Sequence, residues 1–418
     1  MREMKDSGIE WVGSIPAHWK THPVYYYFGE SKNKNRFGQE NNLLSLSYGK
    51  IVRKDINTSD GLLPESFNTY NIVAANDIII RPTDLQNDKR SLRTGLVRER
   101  GIITSAYICL RPIKEIDSRF FNYLLHAYDV IKVFYNMGNG VRQGLNFSEF
   151  SRLLVFEPPV NKQKKIADYL DAKCAEIDAL TADIQAQIDT LEQYKRSVIT
   201  EVVTKGLEPD VEMKDSGIQW IGSMPAHWNC IRGKYVLKYI QKPVREDDGV
   251  ITCFRDGEVT LRSNRREDGF TMADKEIGYQ GIDVGDLVVH GMDGFAGAIG
   301  ISDSRGKASP VLNVLDTEQN KRYIMYFLRS MAYSDVFLAL ATGIRVRSCD
   351  LRWNKLSELF YPVPPLEEQE AIVDYIDSVL RRTDEVIAAK REQLSTLEAY
   401  KKSLIYEYVT GKKEVPAQ

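Results

Sequence analysis

Apolar residues recur every seven positions through two long stretches of the chain, 158–206 and 364–411. In the first, Leu170, Ile177, Ile184, Leu191 and Val198 keep the spacing, while Ile166, Leu180, Ile188, Tyr194 and Val202 widen the stripe. In the second the apolar set is Ile372, Ile376, Leu380, Ile387, Leu394, Leu397, Leu404 and Tyr408. A Pro-Pro pair leads into each stretch, and Gly206 or Gly411 ends it, the punctuation of helix start and stop. Each stretch predicts a helix of about 45 residues, roughly 65–70 Å long at 1.5 Å per residue. A helix that long with one apolar stripe must bury it, most simply against its twin in a coiled coil. Thr383, Lys390, Lys195 and Lys401 fall at or near seam positions, where they fix register or meet a partner.

The remaining segments, 1–157 and 207–363, carry short strand signals instead, and 412–418 is a polar tail. Asn76-Asp77 before three isoleucines and Gly285-Asp286 before Leu287-Val288-Val289 are matched turn-then-strand signals. Leu46-Ser47-Tyr48-Gly49-Lys50-Ile51 corresponds to Phe254-Arg255-Asp256-Gly257-Glu258-Val259, and Ser105-Ala106-Tyr107 to Ser309-Pro310-Val311. Arg119-Phe120-Phe121-Asn122-Tyr123 corresponds to Arg322-Tyr323-Ile324-Met325-Tyr326, on a predicted helix. Gly140-Val141-Arg142 corresponds to Gly343-Ile344-Arg345. Tyr25, Tyr26 and Tyr27 read as a strand partly in the core rather than as a stacking platform. The most literal repeat is MKDSGIEWVGSIPAHW from Met4 against MKDSGIQWIGSMPAHW from Met213.

A repeat with a period near half the chain means two copies of one unit. It is also circularly permuted: the chain starts with a KDSG segment, whereas the helix stretch that ends at Gly411 has none after it. The expected fold is therefore α+β, with two globular domains joined by two long antiparallel coiled-coil helices, pseudo-twofold and circularly permuted. Two equivalent working surfaces imply a bipartite ligand.

Composition narrows the function. Hydrophobic content of 43% and charged content of 27% are those of an ordinary globular chain. No apolar run approaches the roughly 20 residues that span a membrane. The five cysteines are scattered, which suggests neither a zinc site nor disulfides and fits the cytoplasm. The net charge is only -2, but residues 20–150 hold 18 Lys/Arg against 13 Asp/Glu, and residues 229–357 hold 19 against 17. Cationic charge thus gathers in the globular segments, which suits two nucleic-acid-facing domains on a neutral to acidic scaffold.

Catalytic motifs are lacking. There is no phosphate-binding GxxxxGK[ST] loop, and no Asn-Pro-Pro-aromatic tetrad of adenine methyltransferases. Gly294, Gly297 and Gly300 have the wrong spacing for a dinucleotide fingerprint and read as a turn-rich structural segment. His18 and His227, each before a Trp, read as packing of a Pro-Ala-His-Trp turn rather than as DNA contacts or metal ligands. For DNA, Arg and Lys suit guanine edges and phosphates, and Asn and Gln suit adenine edges. Candidates in the first domain are Lys32, Lys34, Asn35 and Arg36, then Arg81, Lys89, Arg90 and Arg93, then Arg142 and Gln143. In the second they are Arg255, Arg262, Arg265, Arg266, Arg345 and Arg347. A solvated surface charge is the alternative for each.

The doubled KDSGIEWVGSIPAHW segment, the GVRQGLNF segment and the PPLEEQ-led helix ending in YKKSLIYEYVTGK resemble the specificity (S) subunit of Type I restriction-modification enzymes. The resemblance covers essentially the whole chain. It implies two target recognition domains, 1–157 and 207–363, each reading one half of a bipartite double-stranded DNA site, and two conserved helical spacers, 158–206 and 364–411. It implies no catalysis and no cofactor in this chain; S-adenosylmethionine, ATP and Mg would belong to two methyltransferase (M) and two restriction (R) subunits recruited by it. The outward helix faces are then the expected docking surface for the M subunits. One departure stands out: Ile344-Arg345-Val346-Arg347-Ser348 replaces the form of Val141-Arg142-Gln143-Gly144-Leu145, so no role passes from Gln143 to Val346. A protein-interaction scaffold without a DNA role is the rival reading.

Overall fold

The structure, a computed structural model, describes residues 3–57, 66–83, 85, 92–137, 144–265, 277–340 and 351–416. They fall into two compact units, Met1–Ile184 with Glu392–Gln418, and Gln185–Arg391. Both long helices form without a break, Val160–Lys205 and Leu366–Val409, and each contributes part of its length to each unit.

The KDSG segment opens each unit for a local reason. Asp6 and Asp215 accept the N–H of Gly8 and Gly217 at 3.1 and 3.0 Å, and Ser7 and Ser216 accept the N–H of Ile9 and Ile218 at 3.1 Å. Gly8 and Gly217 hold φ of 70° and 72°, which costs a residue without Cβ nothing. The turn brings Met4–Asp6 onto Ser14–Pro16 and Met213–Asp215 onto Ser223–Pro225 as antiparallel pairs. Trp19 and Trp228 then enter the two cores at 2% and 0% exposure.

Behind this entrance each unit builds one frame. A four-stranded sheet runs Phe28–Glu30, Ile108–Pro112, Ile78–Ile80, Thr94–Leu96 in the first unit and Lys238–Ile240, Leu312–Asp316, Leu287–His290, Ile299–Ile301 in the second, in the same spatial order. The helices Ser118–Val130 and Lys321–Tyr333 pack their apolar faces into the cores. The hairpin Leu44–Ser47 with Lys50–Arg53 has its counterpart in Ile251–Cys253 with Val259–Leu261. Tyr25–Tyr27 is not a strand. The ladder of Lys20–Pro23 with Leu154–Glu157 stops at Pro23, and Val24–Tyr26 forms one 3-10 turn, with Tyr27 buried and Tyr25 56% exposed.

Helix and domain are tied by the same bonds in both units. Gln163 accepts from the Asp117 N–H at 2.9 Å, and Gln369 from the Asn320 N–H at 2.9 Å. Asp171 takes Tyr123 OH at 2.8 Å and Arg119 at 3.0 Å; Asp377 takes Tyr326 OH at 2.5 Å and Arg322 at 2.7 Å. Within each unit the two helix portions run antiparallel. Lys195 donates to Asp384 at 2.6 Å in the second unit, and Lys401 donates to Asp178 in the first. These seam lysines fix register, while buried Thr383 turns its hydroxyl back to Val379 O at 2.8 Å. Leu180 and Tyr194 leave the seam, at 47% and 49% exposure.

The helix ends are capped alike. Gly206 and Gly411 adopt φ of 78° and 68°. A Cβ on Gly206 would meet Trp228 at 3.2 Å, and one on Gly411 would meet Pro16 at 2.7 Å and Trp19 at 2.8 Å. The circular permutation is thus closed within the first unit by packing, where the second uses a continuous chain.

Beside that closure, His126 lines a mostly apolar crevice of about 200 Å³ with Val130, Ile131, Ile405 and Tyr406. Burial, then the nearby Lys401 and Lys402 ammoniums, depress His126 from 6.5 to about 4. The fold therefore binds neutral imidazole. Its stability from this group is full above pH 6.5 and is lost as pH falls toward 4, a swing on the order of 2–3 kcal/mol. Urea titrations at pH 5 and pH 7.5 should show that loss, and His126→Gln should remove most of the difference between the two pH values.

Candidate nucleic-acid interface

At one end of the first unit, three connections meet. The hairpin turns through Tyr48 and Gly49, both left-handed at φ 46° and 78°. A Cβ on Gly49 would lie 3.2 Å from Leu92 and 3.6 Å from Thr94 O, so the turn rests on the start of strand Thr94–Leu96. Across that strand Arg81 N–H donates to Arg93 O at 2.8 Å, and Leu145 N–H donates to Pro82 O at 2.9 Å. The first hairpin, the link from Ile80 to Thr94, and the segment leading into Phe147 therefore share one edge. Lys50 anchors the hairpin by donating to Asp178 at 3.1 Å, the same carboxylate that Lys401 meets.

The second unit repeats the convergence with different residues. Phe254 N–H donates to Glu258 O at 2.8 Å, closing the turn over Gly257 at φ 93°. A Cβ on Gly297 would sit 2.7 Å from Arg255 O, and one on Gly300 only 1.9 Å from Gly257 O. Leu351 N–H donates to Gly291 O at 2.8 Å, and Asn313 Nδ2 donates to both Leu351 O and Val289 O at 3.1 Å. Again the first hairpin's turn, the link after the second strand of the sheet, and the segment before the closing strand come together.

The sequence candidates divide among these places. Arg81 lies at the convergence of the first unit, half-buried. Arg93 is not a surface residue. Its guanidinium is fully buried and donates to Thr83 O at 2.6 Å and Arg81 O at 3.4 Å, so it braces the link instead of facing solvent. Asn35 is likewise structural, 1% exposed and bonded to Glu40 through both its amide groups at 3.0 and 3.1 Å. Lys32, Lys34 and Arg36 lie on another element, the segment that bridges strand Asn71–Val73. Lys34 donates to Thr69 O at 3.0 Å, Lys32 pairs with Glu30 at 2.9 Å, and Arg36 is exposed. Lys89, Arg90, Arg142, Gln143, Arg266, Arg345 and Arg347 lie outside the described residues.

In the second unit the candidates gather on one hairpin. Arg255 pairs with Asp293 at 2.9 Å; Arg265 pairs with Asp256 at 2.5 Å and Glu258 at 3.2 Å while lying 4.1 Å over the Phe254 ring. Arg262, at the other end, donates to Thr252 Oγ1 at 3.4 Å. Exposed pairs of this kind contribute about 0–1 kcal/mol, so a phosphate can replace the carboxylate at small cost. His227, half exposed, bonds Glu368 at 2.9 Å beside the Trp228 N–H, also at 2.9 Å, and His18 is exposed. Among the described residues no group of three or more His, Cys, Asp or Glu is placed to hold a metal, and no helix is long and apolar enough to cross a membrane.

Residues 28–190 match the family described as Type I restriction modification DNA specificity domain. Two proteins of Methanocaldococcus jannaschii are similar over most of the chain. One, a putative Type I restriction enzyme MjaX specificity subunit, is 24% identical over 320 residues, 73% of this chain and 70% of the relative. The other, the Type I restriction enzyme MjaVIII specificity subunit, is 24% identical over 332 residues, 75% of each chain.

The chain thus carries a Type I restriction modification DNA specificity domain.

A chain from a solved Type I R-M system, described for its complex assembly and conformational transition, shares the fold with a TM-score of 0.67 at 14% identity, over 96% of this chain and 99% of its own. The role of an S subunit is specificity, which is non-catalytic. The family match takes in most of the first globular segment and much of the first long helix, and the second globular segment has the same strand order and the same helix ties. Sequence reasoning passed over those ties. Gln163 and Gln369, Asp171 and Asp377, and Asp178 and Asp384 are identical residues at matched positions of the two helices, and that identity was the available signal.

Proposed function

We propose that this S subunit reads a bipartite double-stranded DNA site, one half-site for each recognition domain, with the convergent connections as the reading edges. The long helices fix the separation of the half-sites and present their outward faces, Leu180 and Tyr194 included, to two M subunits. Those subunits methylate adenine with S-adenosylmethionine. Two R subunits use ATP and Mg to translocate and cut DNA. The assembly works in the cytoplasm.

One observation carries this reading: the same frame is built twice, and the two copies carry different residues where the three connections meet. Tyr48 and Lys50 stand on the first turn, whereas Asp256, with Arg265 against it, and Glu258 stand on the second. A frame kept for folding with its edge altered suits two readers of different sequences. The test is single-molecule sequencing of methylated adenines in cells carrying this chain with its M subunit. A single motif of two short specified halves around an unspecified spacer is expected. A continuous motif, or no methylation dependent on this chain, would overturn the proposal.

A further inference from the structure

Tyr48 sits where its own chemistry is least at ease. A two-residue hairpin turn with positive φ at both positions favours Asn-Gly or Gly-Gly, because a side chain bearing Cβ crowds its own backbone there. Gly49 satisfies that demand at φ 78°, but Tyr48 takes φ 46° with a bulky ring. Burial does not offset the strain, since the ring is 77% exposed. Among the described residues its hydroxyl makes no hydrogen bond. The fold therefore gains little from a tyrosine here and would be better served by glycine.

The position is nonetheless fixed firmly. Gly49 rests on Leu92 and Thr94, and Lys50 ties the turn to Asp178. Lys50 adjoins it and shares the Asp178 carboxylate with Lys401, two ammoniums on one carboxylate, and Arg81 lies on the neighbouring link. A rigidly presented, solvent-facing aromatic ring among cations suits a polyanion whose bases and sugars offer flat apolar faces. Strain retained on an exposed side chain points to a use outside the fold.

We infer that Tyr48 is a DNA-contacting residue of the first recognition domain, its ring packing against sugar and base faces of that domain's half-site. This rests on the bipartite reading above. The matching turn position in the second domain is Asp256, held by Arg265, so the contact belongs to one half-site only.

The test uses the full chain assembled with its M subunits and a duplex carrying the methylated motif. Tyr48→Gly removes the ring and relieves the backbone, so its melting temperature should equal or exceed that of the parent. Its affinity should fall by about 10-fold or more on intact DNA. The fall should shrink to under about 2-fold when the first half-site is scrambled, and persist when only the second is scrambled. Tyr48→Phe should stay within about 3-fold of the parent. Unchanged affinity for Tyr48→Gly overturns the inference, as does an equal loss on DNA with the first half-site scrambled. Weakened assembly with the M subunits, with DNA affinity per assembled complex unchanged, also overturns it and places Tyr48 on a protein interface. A chain with residues 20–150 exchanged serves as the control. If that exchange leaves the first half-site recognised, the bipartite reading itself fails, independently of Tyr48.

Discussion

Replacing residues 20–150 with a second copy of residues 229–357 should yield a protein that methylates a site whose two halves carry the same specified bases, those now read by the second domain. The graft is mechanically reasonable because the ties to the helices match. The incoming Arg322 and Tyr326 find Asp171 where they formerly met Asp377, and the incoming Asn320 N–H finds Gln163 in place of Gln369. The sheet order is also the same, so the incoming strands do not need a new topology. Affinity for the original site should fall by at least about 10³-fold, the usual gap between specific and non-specific binding. Methylated-adenine sequencing in cells checks it. Alteration of both halves, or of neither, would show that the reading residues lie elsewhere.

The second large effect lies in the other domain. Gly300→Ala should destabilise the second unit by roughly 3 kcal/mol, because the new methyl would overlap a backbone oxygen and not a side chain that can turn away. A Cβ on Gly300 would lie 1.9 Å from Gly257 O and 2.9 Å from Val259, and one on Gly257 would lie 2.3 Å from Arg329. Relief requires moving the whole 254–258 turn, so recognition of the second half-site should weaken along with stability. Gly95 is the matched position in the first domain. Its Cβ would meet Leu46 and Ile51 side chains at 2.6 and 3.0 Å, which have rotamers to spare, so Gly95→Ala should cost about 1 kcal/mol. Urea unfolding of the two variants measures the contrast. Equal costs would mean that the turn and the strand are not locked as the contacts describe.

Much of the frame was legible in the residues, and the reasons are local. Asp, Ser and Gly in KDSG dictate a turn by their own hydrogen bonds and backbone freedom. A seven-residue stripe between prolines and glycine dictates a helix, and both helices end within two residues of the expected bounds. The misses all depend on what arrives from far along the chain. Arg93 reads as a surface cation until Thr83 and Arg81 carbonyls enclose it. Asn35 reads as a base reader until Glu40 occupies its amide. Leu180 and Tyr194 belong to the stripe on paper, but a helix of 3.6 residues per turn drifts against a seven-residue repeat and carries them out of the seam. Tyr25–Tyr27 has strand composition, yet Pro23 ends the ladder before it.

The closure of Gly411 onto Pro16 and Trp19 has a consequence for the order of events during synthesis. The second unit is one uninterrupted stretch, Gln185–Arg391, whereas the first needs Glu392–Gln418 to join residues that left the ribosome nearly 400 positions earlier. Closing so long a loop costs only a few kcal/mol more than closing a short one, since the penalty grows with the logarithm of length. It cannot happen, however, until the last turns of the second helix exist. The half of the molecule that is translated first is therefore the half that is completed last, and until then the apolar groove awaiting Leu404, Ile405, Tyr408 and Val409 stands open to water.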